Sequence, residues 1–213
     1  MLNLTELSVY ILTLGAAYLI PGPDMALVMA SASGRGFKQA LMTSAGLSAA
    51  RGLHVLRAAL GLAALLIAHP DLLRVIQWIG AAYLIFLAWK IISAGSLSAG
   101  DVGSDQQHYL AAIRRGFLTN LLNPKALMFC SLLLPQFIDL QPENGSHAPI
   151  LVQYFYLGII LVITGIVFDM LIAASVCAVA AKVKITQTGQ KIQKWLFSSV
   201  FIAGAIRLSL SEL

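Results

Sequence analysis

Two short stretches set a charged residue beside a proline inside an apolar run: Pro21-Gly22-Pro23-Asp24 and Asn123-Pro124-Lys125. Proline removes a backbone N–H and clashes with the preceding turn, so a helix frays where it meets one. Asparagine is a favoured N-cap and proline a favoured first helical residue, so Asn123-Pro124-Lys125 reads as the start of a half-helix. Pro23 opens a second half-helix, with Asp24 in its first turn. The positive end of a helix favours a carboxylate, and Lys125 adds a formal cation there. Asp24 is stabilised by the same dipole and still able to meet a cation. The chemistry is binding rather than bond-making: a carboxylate at one break, an ammonium at the other. The plainer alternative places both breaks at a membrane edge, with Asp24 and Lys125 among headgroups.

Four further ionisable residues within apolar segments are informative. Arg51, His54 and Arg57 fall in one of them. At about 100° per residue, Gly46, Ala50, His54, Arg57 and Gly61 share a sector of about 80°, with Arg51 at its border. That face is small and cationic. Small residues let helices approach closely, and the cations must face protein interior or water. His54 reads first as a core histidine with satisfied nitrogens and second as a proton carrier. Arg51 suits a pairing with Asp24 or Asp169. Asp169 is the one acid of its segment and shares a face with Gly158, Gly165, Ala173 and Ala180. It either pairs with Arg51, Arg57 or Lys125, or stays protonated and carries protons; a position near the cytoplasmic end, merely solvated, is the third reading.

No enzyme signature accompanies these residues. There is no phosphate-binding glycine loop, and no Ser/His/Asp arrangement can be assembled by spacing. His54, His69, His108 and His147 are scattered and Cys130 and Cys177 are far apart, so neither a metal site nor a disulfide framework is expected. No cofactor is implied.

The elements that hold these positions follow from composition. Of 213 residues, 59% are hydrophobic and only 11% charged, and the mean hydropathy is +0.84. Soluble domains average roughly 45–50% apolar and about 25% charged, so an ordinary soluble enzyme and a disordered chain are both excluded. A polytopic membrane protein remains, with room for about five to seven helices in one domain. The net charge of +5 then reflects cations in cytoplasmic loops and contact with anionic membrane lipid rather than nucleic acid, because no basic stretch is interleaved with stacking aromatics.

Six apolar segments are predicted: Leu7–Ser33, Ala40–Ala68, Leu72–Ser93, Ala112–Phe137, Ile150–Ala181 and Trp195–Leu210. The last is the shortest; if it does not cross, the count falls to five. Ala30-Ser31-Ala32 looks like a signal-peptidase site, but the preceding region lacks Lys and Arg and holds Glu6, so the first segment reads as a retained helix. The first loop holds Arg35 and Lys38, Lys90, Arg114 and Arg115 flank the third, and the fifth holds Lys182, Lys184, Lys191 and Lys194. The second holds only Arg74 and the fourth no cation. That alternation puts loops one, three and five in the cytoplasm. Residues 1–95 and 111–213 then form two three-helix halves, inserted in opposite senses and joined by a cytoplasmic linker over 96–110. Breaks at corresponding places of two halves point to an inverted-repeat transporter with its site at the breaks. The expected fold is all-α.

The motifs resemble the LysE/RhtB family of bacterial amino-acid exporters over most of the chain. Pro21-Gly22-Pro23-Asp24 is similar to that family's PGP motif, and Gly80-Ala81-Ala82-Tyr83-Leu84 to its GxxYL element. The run from Arg115-Gly116-Phe117 through Asn120 to Asn123-Pro124-Lys125-Ala126 resembles its most specific signature, and Leu134-Pro135-Gln136-Phe137 follows in place. The resemblance implies a multi-pass protein of the bacterial cytoplasmic (inner) membrane that exports amino acids or related small metabolites in exchange for protons. Substrate would bind at Gly22, Pro23, Asp24, Asn123, Pro124 and Lys125, with Asp24 or Asp169 exchanging protons. Arg51 and Arg57 depart from the mostly small, apolar helix the family leads one to expect; unless acids neutralise them, they disfavour lysine or arginine as cargo. The alternative is a non-transporting membrane scaffold or subunit that assembles through its small-residue faces. Those faces also leave a homodimer open.

Overall fold

A computed structural model describes residues 4–60, 70–93, 105–130, 134–138, 149–182 and, further on, 189, 191–192, 195–196, 198–199, 202–203 and 206. Among these the chain is almost entirely helical and holds no strand. Helix α1 spans Leu4–Leu19, α2 Pro23–Arg35, α3 Phe37–Ala59, α4 Pro70–Ser93, α5 Asp105–Leu121, the single turn α6 Pro124–Met128, and α7 Ile150–Lys182, with a 3-10 turn at Leu134–Phe137 between the last two.

The first predicted segment is two helices, bent by 63° at the Pro21-Gly22 break. Pro23 is the first residue of α2 and Gly22 its N-cap. The fourth segment is interrupted where expected, with Asn123 as N-cap and Pro124 first in α6. Its helical part starts earlier than the sequence suggests. Asp105–His108, expected in the polar linker, form the first turn of α5. Gln106 and Gln107 are good helix formers, and no Gly or Pro interrupts the run before Gly116. The rest of the linker, Gly61, the fourth loop and most of Trp195–Leu210 lie outside the described residues.

Helices α2 and α3 are joined through Gly36 alone, with φ +81° and ψ −175°, a region essentially reserved for glycine. The reversal brings Ser31 Oγ within 2.9 Å of Thr43 Oγ1. From there α3 runs through the middle of the protein, packed chiefly on α5 and α7. Its crossing with α5 is reciprocal. A Cβ on Gly46 would overlap the Ile113 carbonyl, and one on Gly116 would overlap the Thr43 carbonyl. Gly46→Ala and Gly116→Ala are each expected to destabilise by about 1–3 kcal/mol through overpacking. Thermal unfolding in detergent reads this directly, and unchanged midpoints would refute the close crossing. Gly158 lies against Val55 of α3 in the same way. Gly46, Gly116 and Gly158 are thus occupied inside the chain, whereas an added Cβ on Gly52 would meet nothing within 4 Å.

Polarity is distributed inside out. On α7, Phe155 is 73% exposed while Asp169 is 3% exposed. Arg51, His54, Asn120 and Asn123 are buried, whereas Leu12, Trp89 and Leu171 lie on the outside. Such a surface is stable against lipid, and the polar groups pair in the interior because hydrocarbon offers them nothing. Among the described residues, Ile150–Ala181 is the one helix that is long and apolar enough to cross a membrane alone, with mean hydropathy 2.5. The bent pair α1–α2 passes the same criterion jointly.

Candidate functional site

The two breaks meet. Lys125, in the first turn of α6, reaches across to donate from Nζ to the Ile20 carbonyl at 2.8 Å. Its side chain lies over Gly22, where an added Cβ would sit 4.0 Å from Nζ. The physical reason is an orphan acceptor. The carbonyls closing α1 have lost their helical partners at the Pro-Gly-Pro turn, and a cation is the donor that the negative end of a helix favours.

Asp24 faces the second break from the other side. Its Oδ2 accepts from Asn120 Nδ2 at 2.6 Å and its Oδ1 from Asn123 Nδ2 at 3.0 Å. Asn123 Oδ1 meanwhile accepts from Lys125 N at 3.0 Å, the N-cap bond that starts α6. One asparagine therefore caps a helix with its oxygen and holds a carboxylate with its nitrogen. Two amide donors leave part of the carboxylate's roughly four acceptor positions uncommitted.

Pro124 has no N–H, so the Asn120 carbonyl loses its usual helical donor and keeps the Asn123 N–H at 3.0 Å. His54 of α3 fills the place, with Nε2 at 3.1 Å from that oxygen. A carbonyl can only accept, so Nε2 carries the hydrogen. Arg57 Nη2 lies 2.9 Å from His54 Nδ1, and a guanidinium can only donate. Nδ1 is therefore the acceptor and the ring is a neutral imidazole with both nitrogens engaged. This agrees with the core-histidine reading.

Asp169 and Arg51 take the pairing alternative. Arg51 Nη1 lies 2.9 Å from Asp169 Oδ2 and Nη2 3.3 Å from Oδ1, a two-pronged bridge. Ser44 Oγ donates to the same Oδ2 at 2.7 Å. The guanidinium stacks over the Tyr18 ring, 5.2 Å from its centroid, and the Tyr18 hydroxyl donates to the Leu161 carbonyl at 3.0 Å. Gly165 makes room for this cluster: a Cβ there would lie 2.6 Å from Arg51 Nη1 and 2.7 Å from the Tyr18 hydroxyl. Asp169 thus has a cation and a hydroxyl to satisfy it as a carboxylate. Its partners are Arg51 and Ser44, and its place is the interior rather than a solvated helix end.

Asp24, Arg51, Asn120, Asn123, Lys125 and Asp169 all line one cavity. Met25, Phe129, Leu161, Phe168 and Ile172 supply an apolar wall. The cavity offers ≈ 60 Å³ to the centres of water-sized molecules, against roughly 10–15 Å³ for one water on that measure. It has room for several waters or one small solute. His54 and Arg57 stand behind Asn120, outside the lining. Of the residues singled out in the sequence, Gly22, Asp24, Asn123, Lys125, Arg51 and Asp169 therefore converge on the cavity, while Pro23, His54 and Arg57 stand outside its lining. Asn120 was visible only as part of a family-like run, and Ser44 and Tyr18 were not singled out at all. The spacings hold a signal for some of them: Asn120 and Asn123 are three apart across the break, and Ser44 and Arg51 are seven apart on α3.

An all-helical, apolar-surfaced protein with a charged cavity between two interrupted helices is a membrane translocator in architecture, with no assembled nucleophile or metal cluster among its described residues. The LysE type translocator family model matches residues 15–212, and the chain belongs to that family, whose members are transporters and not enzymes. It is 31% identical over 207 residues to the homoserine/homoserine lactone efflux protein of Salmonella typhi, covering 94% of each chain. It is also 28% identical over 193 residues to the leucine efflux protein of Salmonella choleraesuis, covering 90% of this chain and 88% of that one. No solved structure matches the chain at a significant level.

Proposed function

We propose that this protein exports a small zwitterionic amino acid, or a close derivative, across the bacterial cytoplasmic membrane in exchange for protons. The observation that carries the reading is the meeting of the two breaks, which sets the Lys125 ammonium and the Asp24 carboxylate on one small cavity. The substrate carboxylate lies against Lys125 and its ammonium against Asp24. Its side chain lies along Phe129, Phe168 and Ile172. Relatives named for homoserine and leucine efflux support cargo with an uncharged side chain. The internal neutralisation of Arg51 by Asp169 removes one of the two cations that argued against a cationic cargo.

Proton exchange falls to Asp24 rather than Asp169. Asp24 accepts either the substrate ammonium or a proton, and one carboxylate cannot hold both. Protonation from outside releases the amino acid, and deprotonation toward the cytoplasm readies the site for the next. Six spans in two inverted halves, with loops one, three and five cytoplasmic, would rock about the breaks; the alternation of loop cations supports that topology. Gly46, Gly116, Gly158 and Gly165, which a scaffold would use for assembly, lie against the chain's own helices.

Purified protein in proteoliposomes tests the reading. An imposed pH gradient is expected to drive L-homoserine or L-leucine and to leave L-lysine behind. Flux that ignores the gradient would remove the coupling, and the absence of flux for every amino acid in a broad panel would remove the function.

A further inference from the structure

We propose that His54 is a positioning residue for the substrate-binding carboxylate: as a neutral imidazole held by Arg57, it replaces the hydrogen bond that Pro124 denies to Asn120 and so sets the Asn120 amide against Asp24. The proposal rests on the transport reading above for what Asp24 binds, and on geometry for everything else.

The chain of contacts is continuous. Arg57 Nη2 donates to His54 Nδ1 at 2.9 Å, His54 Nε2 donates to the Asn120 carbonyl at 3.1 Å, and Asn120 Nδ2 donates to Asp24 Oδ2 at 2.6 Å. The Asn123 N–H, 3.0 Å from the same carbonyl, is the tightened-turn bond left after the proline. It closes the turn but does not anchor it to another helix, which His54 does. His54 and Asn120 are each 1% exposed, so no bulk water replaces a lost partner. Asn120 Oδ1 is buried without a partner. The side chain therefore keeps its orientation through the Asp24 contact and through the placement of its own backbone, and His54 controls the second. Arg57 Nε is buried and likewise unpartnered, and the guanidinium engages His54 through Nη2.

A proton-carrying role would demand the opposite geometry. A second hydrogen on Nδ1 would face the Arg57 donor, and the charged groups acting on the ring are Arg57 from its own helix and Asp24 from α2. No carboxylate lies within hydrogen-bond distance of either ring nitrogen among the described residues.

Glutamine can copy the neutral ring, since its amide offers a donor nitrogen and an acceptor oxygen; leucine cannot. In proteoliposomes driven by a pH gradient, with L-homoserine and L-leucine as probes, His54→Gln is expected to keep proton-driven flux with KM within about threefold of wild type. Its pH profile should be unaltered from about pH 5 to 8, where a free histidine titrates. His54→Leu should raise KM about tenfold, the scale of a lost hydrogen bond that positions a charged group. Loss of proton coupling in His54→Gln, or unchanged KM in His54→Leu, overturns the proposal. A cycle with Pro124→Ala, read by thermal unfolding in detergent, does not depend on transport. Alanine restores an N–H at residue 124, so the drop of about 2–12 °C expected for His54→Leu should shrink by half or more in that background. Additive drops overturn the proposal. If wild-type protein moves no amino acid of a broad panel, the transport reading falls, while this cycle still decides whether His54 serves the Asn120 carbonyl.

Discussion

Asp24→Asn is expected to abolish proton-driven flux while leaving the protein folded. The substitution keeps the shape of the side chain and removes only its charge and its proton site. The two flanking amides decide whether that is a clean test. Asn123 is pinned, because its oxygen caps Lys125 N, so the new amide must turn its oxygen toward Asn123 and its nitrogen toward Asn120. Asn120 can answer by a half-turn of its amide, since its Oδ1 has no partner to lose. Both contacts survive as neutral hydrogen bonds, and the loss of function is then electrostatic. A charged hydrogen bond contributes about 1.5–3 kcal/mol, so substrate exchange without a gradient should fall by about 10–100-fold, and the response to a pH gradient should vanish. Lys125→Ala removes the other pole and the donor to Ile20, and is expected to lower flux and to loosen the α1–α2 junction as well. Counterflow in proteoliposomes checks the first effect, and the thermal midpoint separates the second. Normal gradient-driven flux in both variants would eliminate the mechanism.

The second large effect concerns Arg51 and Asp169. Their side chains are 3% and 5% exposed, so removing one partner leaves a buried charge without compensation. Asp169→Ala is expected to cost about 3–5 kcal/mol, read as a fall of roughly 6–20 °C in the unfolding midpoint for a chain of this size. It would also expose the bare Arg51 cation to the cavity that Asp24 needs for an ammonium. The double variant Arg51→Met/Asp169→Leu removes both charges and keeps apolar volume, and such replacements are commonly neutral or stabilising. Its midpoint should return to near that of wild type. A double variant as unstable as the sum of the single ones would show that the bridge is not the unit that matters. Ser44 and Tyr18 enter the comparison because they complete the shell of the pair; their removal should cost less than the loss of either ion.

The all-helical class, both proline breaks and the charged residues at them were legible in the sequence, since each is a local property. Apolar runs follow from composition, and Pro23 and Pro124 interrupt a helix wherever they stand, because the missing N–H is a feature of the residue itself. Asn123 was readable as a cap for the same reason. Helical angle alone placed His54 on the face of α3 that also holds Gly46, and placed Gly165 on the face of α7 with Asp169. Partner choice was not legible. Three candidate partners for Asp169 and two for Arg51 remained open, because nothing in the spacing of α3 and α7 says how far one helix slides along the other. The crossing of α3 and α5 at Gly46 and Gly116 settles where Asn120 sits relative to His54, and the gap at Gly165 settles that Arg51 reaches Asp169.

Asn120 shows the division most plainly. Its amide and its carbonyl do different work toward Asp24 and His54, and neither partner lies within 60 positions of it. The sequence by itself determined that this chain is helical, apolar outside and interrupted twice, since hydropathy and proline act over a few residues. Only the tertiary structure decided which buried charges neutralise each other and which face the cavity. That choice depends on contacts between distant helices, where a shift of a few ångströms separates an ion pair from an empty approach.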